Sequence, residues 1–284
     1  MDDVDFFEED IIETDNKVDD IENAKTEIEL NYFEVDALNH SLLKQFKYSP
    51  AHYIYAKNNP SASTAAMEFG TLVHELLLEN VEENIIINSP LDKRTKVYKE
   101  WFKSIDKSKK IVEAKDLEIA RTMIRHLTNK TTWQKLNINT VANEQEYYYK
   151  KDGYECKAKL DKLLKNGIVD IKTVASLEEG NFFNSIVKFD YHTQAAWYLE
   201  ASAKFGYDIN MPYYIIAMSK TAPYDSIIYE LPRELIEIGH KLNNKRFEIF
   251  KYCTDTQNFY GYEDKVQTIK IPNWYMNSIV EEIA

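Results

Sequence analysis

Apolar positions recur at helical spacing toward both ends of the chain and at strand spacing through its middle. From Asn39 to Lys57, the run NHSLLKQFKYSPAHYIYAK predicts two short helices, the second opened by Ser49 as a cap with Pro50 at its first position. A polar loop, NNPSAST, follows. In MEFGTLVHELLLEN, Leu72, Val73, Leu76 and Leu77 give a helix with a wide buried face, and His74 lies on or beside that face. Asp116 to Leu127 reads as a further helix, with Leu117, Ile119, Ala120, Met123, Ile124 and Leu127 on its buried side. Between Asn143 and Thr173 the period becomes that of strands, punctuated by Asp152-Gly153 and Asn166-Gly167, which predicts a three-stranded antiparallel meander. A helix from about Asp190 to Phe205, strands at Tyr213 to Met218 and Ser226 to Leu231, and a long helix from Pro232 to Tyr252 complete an α/β (α+β) pattern.

The meander carries the candidate chemistry, because cross-strand partners point to one side of a sheet. If Asn166-Gly167 is a two-residue type I′ turn, Lys165 pairs with Ile168, Leu163 faces Asp170, and Asp161 faces Lys172. Residues two apart share a face, so Asp161, Asp170 and Lys172 project together. A two-residue Asp152-Gly153 turn pairs Lys151 with Tyr154 and brings Glu144 opposite Asp161. The alternative is a set of surface salt bridges, each worth ~0–1 kcal/mol. The flanking Ile168, Val169 and Ile171 are too apolar for a plainly exposed face. Clustered carboxylates are costly unless a cation neutralises them, and oxygen ligands suit Mg²⁺ or Mn²⁺. Lys172 beside such an ion can hold or help deprotonate a water and stabilise charge on a phosphate.

Charge at first argues against a nucleic-acid partner, since the chain carries −12 overall. Residues 1–30, however, hold thirteen Asp and Glu against Lys17 and Lys25, so the remainder is close to neutral and can carry a basic groove. Residues 1–34 read as an acidic tail, either a disordered solubilising segment or a mimic of nucleic-acid phosphates covering the groove. Residues 35–284 are expected to form one domain, for which 44% hydrophobic content suffices. The lysine and aromatic run that includes Lys93, Arg94, Lys96, Lys99, Trp101, Phe102 and Lys103 is either a solvated helix face or a surface that tracks a DNA backbone. Cys156 and Cys253, far apart and in no CxxC arrangement, support neither a disulfide framework nor a cysteine-ligated zinc or iron–sulfur site, in keeping with a reducing cytoplasm. No basic-then-apolar start and no apolar run of about 18 residues is present, so neither a signal nor a membrane span is expected.

Asp161 followed by Asp170-Ile171-Lys172 resembles the signature of the PD-(D/E)XK nucleases. FGTLVHELLLE resembles the helix of RecB-type nucleases whose histidine reaches the metal site, and Gln194 with Tyr198 resembles their QxxxY motif. Together with SPAHYIYAK, YECKAKLD, YHTQAAWYL and IKIPNWY, these runs look like the C-terminal nuclease domain of RecE (exodeoxyribonuclease VIII) and its phage and prophage relatives, over residues 35–278. The resemblance implies a restriction-endonuclease-like core, a central mixed sheet flanked by helices. It also implies Mg²⁺- or Mn²⁺-dependent digestion of linear double-stranded DNA from a 5′ end to a 3′ single strand for recombination. A single-strand annealing recombinase as partner and a homo-oligomeric ring belong to the same implication. By position, Asp161, Asp170, the Ile171 carbonyl and His74 would serve the metal, Lys172 the water, and Gln194 and Tyr198 would orient Lys172 or the DNA. Glu144 as a ligand rests on register. The alternatives are a structure-specific or restriction-type endonuclease on the same core, or a member that binds DNA without cutting it.

Overall fold

The computed structural model describes residues 31–79, 82–88 and 92–273, together with Tyr275, Met276 and Ile279; the acidic segment 1–30 lies outside the described residues. Residues 31–36 make a turn in which Asn31 Oδ1 accepts from the Phe33 amide at 3.1 Å.

From Ala37 onward the chain builds its helices where local chemistry allows. Helix α1 (His40–Leu43) passes into a 3₁₀ turn (Lys44–Lys47), and α2 (Pro50–Asn58) starts with Ser49 accepting from the His52 amide and Pro50 at its first turn, as the sequence predicts. Helix α3 (Ala65–His74) is capped by Thr64 and runs on as a π-helical stretch, Glu75–Glu79. A short parallel pair, β1 (Ile85–Ile87) and β2 (Lys110–Val112), flanks α4 (Lys96–Ser104). Then come α5 (Ala114–Thr128) and α6 (Thr131–Asn137).

Next is the predicted meander: β3 (Thr140–Lys151), β4 (Tyr154–Leu164) and β5 (Gly167–Val174). Helices α7 (Glu179–Phe189) and α8 (Tyr191–Ala203) lead to β6 (Tyr213–Ser219), β7 (Ser226–Glu230) and the long α9 (Arg233–Thr256). The main sheet has the order β3-β4-β5-β6-β7, with β5 and β6 parallel and the other neighbours antiparallel, so it is mixed. Elements α6, α7, β1 and β2 have no counterpart in the sequence reading.

Two cores cover the two faces of this sheet. Ile168 of β5 and Ile215 of β6 join one cluster with Leu43, Phe46, Trp197, Leu199 and Phe247, which come from α1, its 3₁₀ turn, α8 and α9. Val169 and Ile216, one residue on, join the other with Leu72, Val73, Met123, Leu127 and Trp133 from α3, α5 and α6. A strand apolar at consecutive positions is what burial on both faces requires, and it explains Ile168, Val169 and Ile171 of β5, among which Asp170 is the one charged residue.

One register is as predicted and one is corrected. Asp152 (φ 48) and Gly153 (φ 87) are both left-handed, as a type I′ turn demands, and Lys151 pairs with Tyr154. At the second hairpin the loop is Lys165-Asn166, Leu164 pairs with Gly167 and Leu163 with Ile168, two residues away from the predicted partner Asp170. Neither Asn166 nor Gly167 has positive φ. Gly167 is required for another reason: a Cβ there would stand 3.1 Å from the Pro212 carbonyl oxygen. Because the offset is two residues, the side of the sheet to which each residue points is preserved.

Among the described residues no helix is long and apolar enough to cross a membrane.

Candidate active site

Strands β4 and β5 pair only as far as Lys162↔Val169 and then part, while β5 stays with β6 along its length. At the mouth of this fork the Asp161 carboxylate replaces the missing ladder: its Oδ2 accepts from the Ile171 amide at 2.7 Å. The Ile171 carbonyl lies 3.0 Å from His74 Nε2, and His74 Nδ1 is 3.6 Å from Asp161 Oδ1. The histidine arrives from α3, whose apolar face packs in the second core. Both backbone groups of Ile171 therefore have partners, as buried peptide groups must.

Glu144 stands across from Asp161, between the pairs Asn143↔Lys162 and Gln145↔Leu160. Its φ is 51, a left-handed value that glutamate rarely adopts inside a strand. One ligand atom each from His74, Glu144 and Asp161 fall within 4.8 Å of one another, and all three residues are half-buried. A ring nitrogen and two carboxylates at that spacing fit a divalent cation in size and donor chemistry. Glu144 is also ion-paired with Lys159, 3.3 Å away, and Lys159 reaches Glu146 at the same distance. Burial, then the Asp161 charge, push the Glu144 carboxyl above its ordinary value, against the pull of Lys159 and His74.

Asp170 is the most buried carboxylate of the group, 1% exposed, and its Oδ2 lies 2.7 Å from Lys172 Nζ. Burial raises the Asp170 pKa, opposed by Lys172 and reinforced by Asp161. Lys172 loses from burial, but the Asp170 and Asp161 carboxylates outweigh that and hold its ammonium above the ordinary value. Its Nζ also sits 5.0 Å from the centre of the Tyr191 ring, at the start of α8. Asp170 is outside the three-residue ligand cluster because its carboxylate is turned to this lysine. Gln194 Nε2 donates to the Tyr198 hydroxyl at 3.0 Å, as their four-residue spacing on α8 allows. The buried Tyr213 phenol is pushed well up, by burial first and then by the charges of Asp170 and Tyr198.

The structure thus brings Glu144, Asp161, Asp170, Ile171, Lys172 and His74 into one fork, with Gln194 and Tyr198 behind it. Tyr191 and Lys159 were not foreseen. Lys159 had a usable signal, since it lies two residues before Asp161, whereas Tyr191 had only its place within YHTQAAWYL. The lysine run lies apart on and around α4. Lys93, Arg94 and Lys96 are ion-paired with Glu113, Asp92 and Glu100 at exposed positions.

The model of the family described as a PDDEXK-like domain of unknown function (DUF3799) matches residues 39–272. A solved structure named "putative exonuclease", from Eubacterium rectale, superimposes with a TM-score of 0.60 at 14% identity, over 89% of this chain and 99% of that one. That likeness is one of fold. A second, of the protein SSO0001, reaches a TM-score of 0.28 at 18% identity over 66% of this chain and 88% of that one, too low to carry an argument. No curated protein matches the chain.

Proposed function

We propose, from the premise that the chain belongs to the PDDEXK-like DUF3799 family and with it to the PD-(D/E)XK nuclease superfamily, that it is a divalent-metal-dependent exonuclease acting on linear double-stranded DNA. The observation that carries this reading is the fork itself. There, three metal-ligating side chains lie within 4.8 Å of one another and a buried lysine-aspartate pair stands beside them.

His74, Glu144 and Asp161 would hold the ion, Mg²⁺ or Mn²⁺, with Asp170 and the Ile171 carbonyl as the further oxygens of the signature. When bound, the ion supplies Lewis-acid charge against the phosphate and eases the ionisation of water. Lys172 offers an ammonium whose charge the two aspartates secure, suited to orienting a nucleophilic water and to meeting negative charge as it develops on phosphate oxygens. Asp170 fixes where that ammonium points. The Tyr191 ring lies 5.0 Å from that ammonium, and Gln194 donates to Tyr198 on the same helix. Lys93, Arg94, Lys96, Lys99 and Lys103 would guide the duplex by phosphate contacts, which carry no base code.

Attack from a 5′ end, leaving a 3′ single strand for recombination, is supported by the RecE-like runs, and the name of the Eubacterium rectale neighbour supports exonuclease action alone. The test is an end-labelled linear duplex, with and without Mg²⁺, beside closed circular DNA. Metal-dependent release of nucleotides from the linear form and sparing of the circle are expected. Cleavage of closed circles at defined sequences would favour an endonuclease on the same core, and failure to cut any DNA with Mg²⁺ or Mn²⁺ would overturn the proposal.

A further inference from the structure

Next to Asp161 along β4 is a buried cation that the site's chemistry does not use. Lys162, 3% exposed, follows Asp161 in β4. Its Nζ donates to three neutral oxygens: Asn143 Oδ1 at 2.6 Å, Asn137 Oδ1 at 3.0 Å and Thr140 Oγ1 at 3.1 Å. Asn143 precedes Glu144 in β3, and its own Nδ2 donates to the Leu78 carbonyl at 2.7 Å. Leu78 belongs to the π-helical stretch that continues the helix bearing His74. One chain of hydrogen bonds therefore ties together the three backbone segments that present His74, Glu144 and Asp161.

The position of this chain coincides with a break in the strands. Leu160 packs in the first core, yet Lys162, two residues on and so expected on the same side, has its Nζ 5.5 Å from the Trp133 ring of the second core. Alternation fails at Asp161, across from which Glu144 takes its left-handed φ. A glutamate is held in such a conformation only where its surroundings over-determine it. The Lys162–Asn143–Leu78 link holds the residue immediately before Glu144.

Resting on the metal-site reading above, we propose that Lys162 and Asn143 are positioning residues that set the spacing of His74, Glu144 and Asp161 and thereby the affinity for the divalent ion. They act through the ligands and touch neither ion nor DNA.

The experiment is a Mn²⁺ titration of the full-length protein without DNA, followed by electron paramagnetic resonance of free Mn²⁺, alongside Mg²⁺-dependence of DNA hydrolysis. Lys162→Met keeps the length of the side chain and removes its donors, whereas Asn143→Ala keeps the lysine and cuts the link to Leu78 at an exposed residue. Both are expected to weaken Mn²⁺ binding by roughly 10–100-fold, the usual effect of removing groups that orient ligands, and to raise the Mg²⁺ needed for half-maximal rate while sparing the rate at saturating Mg²⁺. Asn137→Ala removes an acceptor of the same lysine that lies on no ligand-bearing segment, and it should leave Mn²⁺ affinity unchanged. If Lys162→Met does not fold, Asn143→Ala decides alone. Affinity within twofold of wild type in Asn143→Ala, or equal losses in Asn137→Ala, would overturn the proposal. Absence of Mn²⁺ binding by the wild type, with no change in Asp161→Ala, would instead remove the metal site and the proposal with it.

Discussion

The two hairpins of the meander share strand β4 and differ in almost everything else. In β3–β4 the ladder runs from Lys151↔Tyr154 to Gln145↔Leu160 without interruption, set by a turn whose two residues are both left-handed. In β4–β5 it lasts for Leu164↔Gly167, Leu163↔Ile168 and Lys162↔Val169, and then the strands part. The first hairpin is governed by turn chemistry. The second is governed by its neighbours: β6 holds β5 along its length, the Pro212 carbonyl crowds Gly167, and Asp161 and His74 take the backbone groups of Ile171. Candidate chemistry gathers where the ladder stops: there the Ile171 N–H and C=O bind the side chains of Asp161 and His74.

The comparison is broken most severely at the fork. Lys172→Met should lower DNA hydrolysis by about 10²–10⁴-fold, the range for loss of a group that positions or transfers a proton, while circular dichroism shows the fold intact. Near-normal nucleotide release by that variant would sink the assignment of Lys172. A smaller effect should separate the two turns. Gly167→Ala puts a methyl 3.1 Å from a backbone oxygen that cannot swing away, so a loss of about 1–3 kcal/mol in chemical denaturation and reduced activity are expected. Gly153→Ala meets nothing within 4 Å and strains only φ, so about 1–2 kcal/mol should be lost with specific activity unchanged. Equal activity losses in both variants would show that the second hairpin is not specially coupled to the site.

The smallest effect sharpens the contrast between the lysines on the two sides of the fork. Lys172 is held charged by carboxylates, whereas burial lowers Lys162 from 10.5 to about 8, with neutral oxygens around it. A lysine with a lowered folded pKa releases its proton near pH 8 in the native state and only near 10.5 when unfolded. Between those values the unfolded state binds more protons, so this group's contribution makes stability rise with pH, and below pH 8 its penalty is fully present. The melting temperature of wild type should therefore rise relative to that of Lys162→Met as pH goes from about 8 to 10. A difference that stays constant over that window would mean that Lys162 remains charged in the fold.

Much of this architecture was legible in the residues. The change of period at Asn143, the Asp152-Gly153 turn and the apolar IVDI run specify the meander, because pleat, turn conformation and burial on both faces are properties of a few adjacent residues. They also lead to Asp161, Asp170 and Lys172 as candidates, and an error of two residues in register keeps the parity on which that choice rests. Glu144 follows from the arithmetic of the first hairpin, and His74 from its place in FGTLVHELLLE. Where the ladder ends was not legible. That is a competition between strand pairing and acceptors supplied from elsewhere: Asp161 ten residues away, His74 on another helix, and Pro212 at the start of β6. The left-handed Glu144 and the Lys162–Asn143–Leu78 link have the same origin, for their energies depend on groups brought together by packing. Local sequence thus chose the strands and the side chains they carry, and tertiary contact chose the point at which the sheet opens around them.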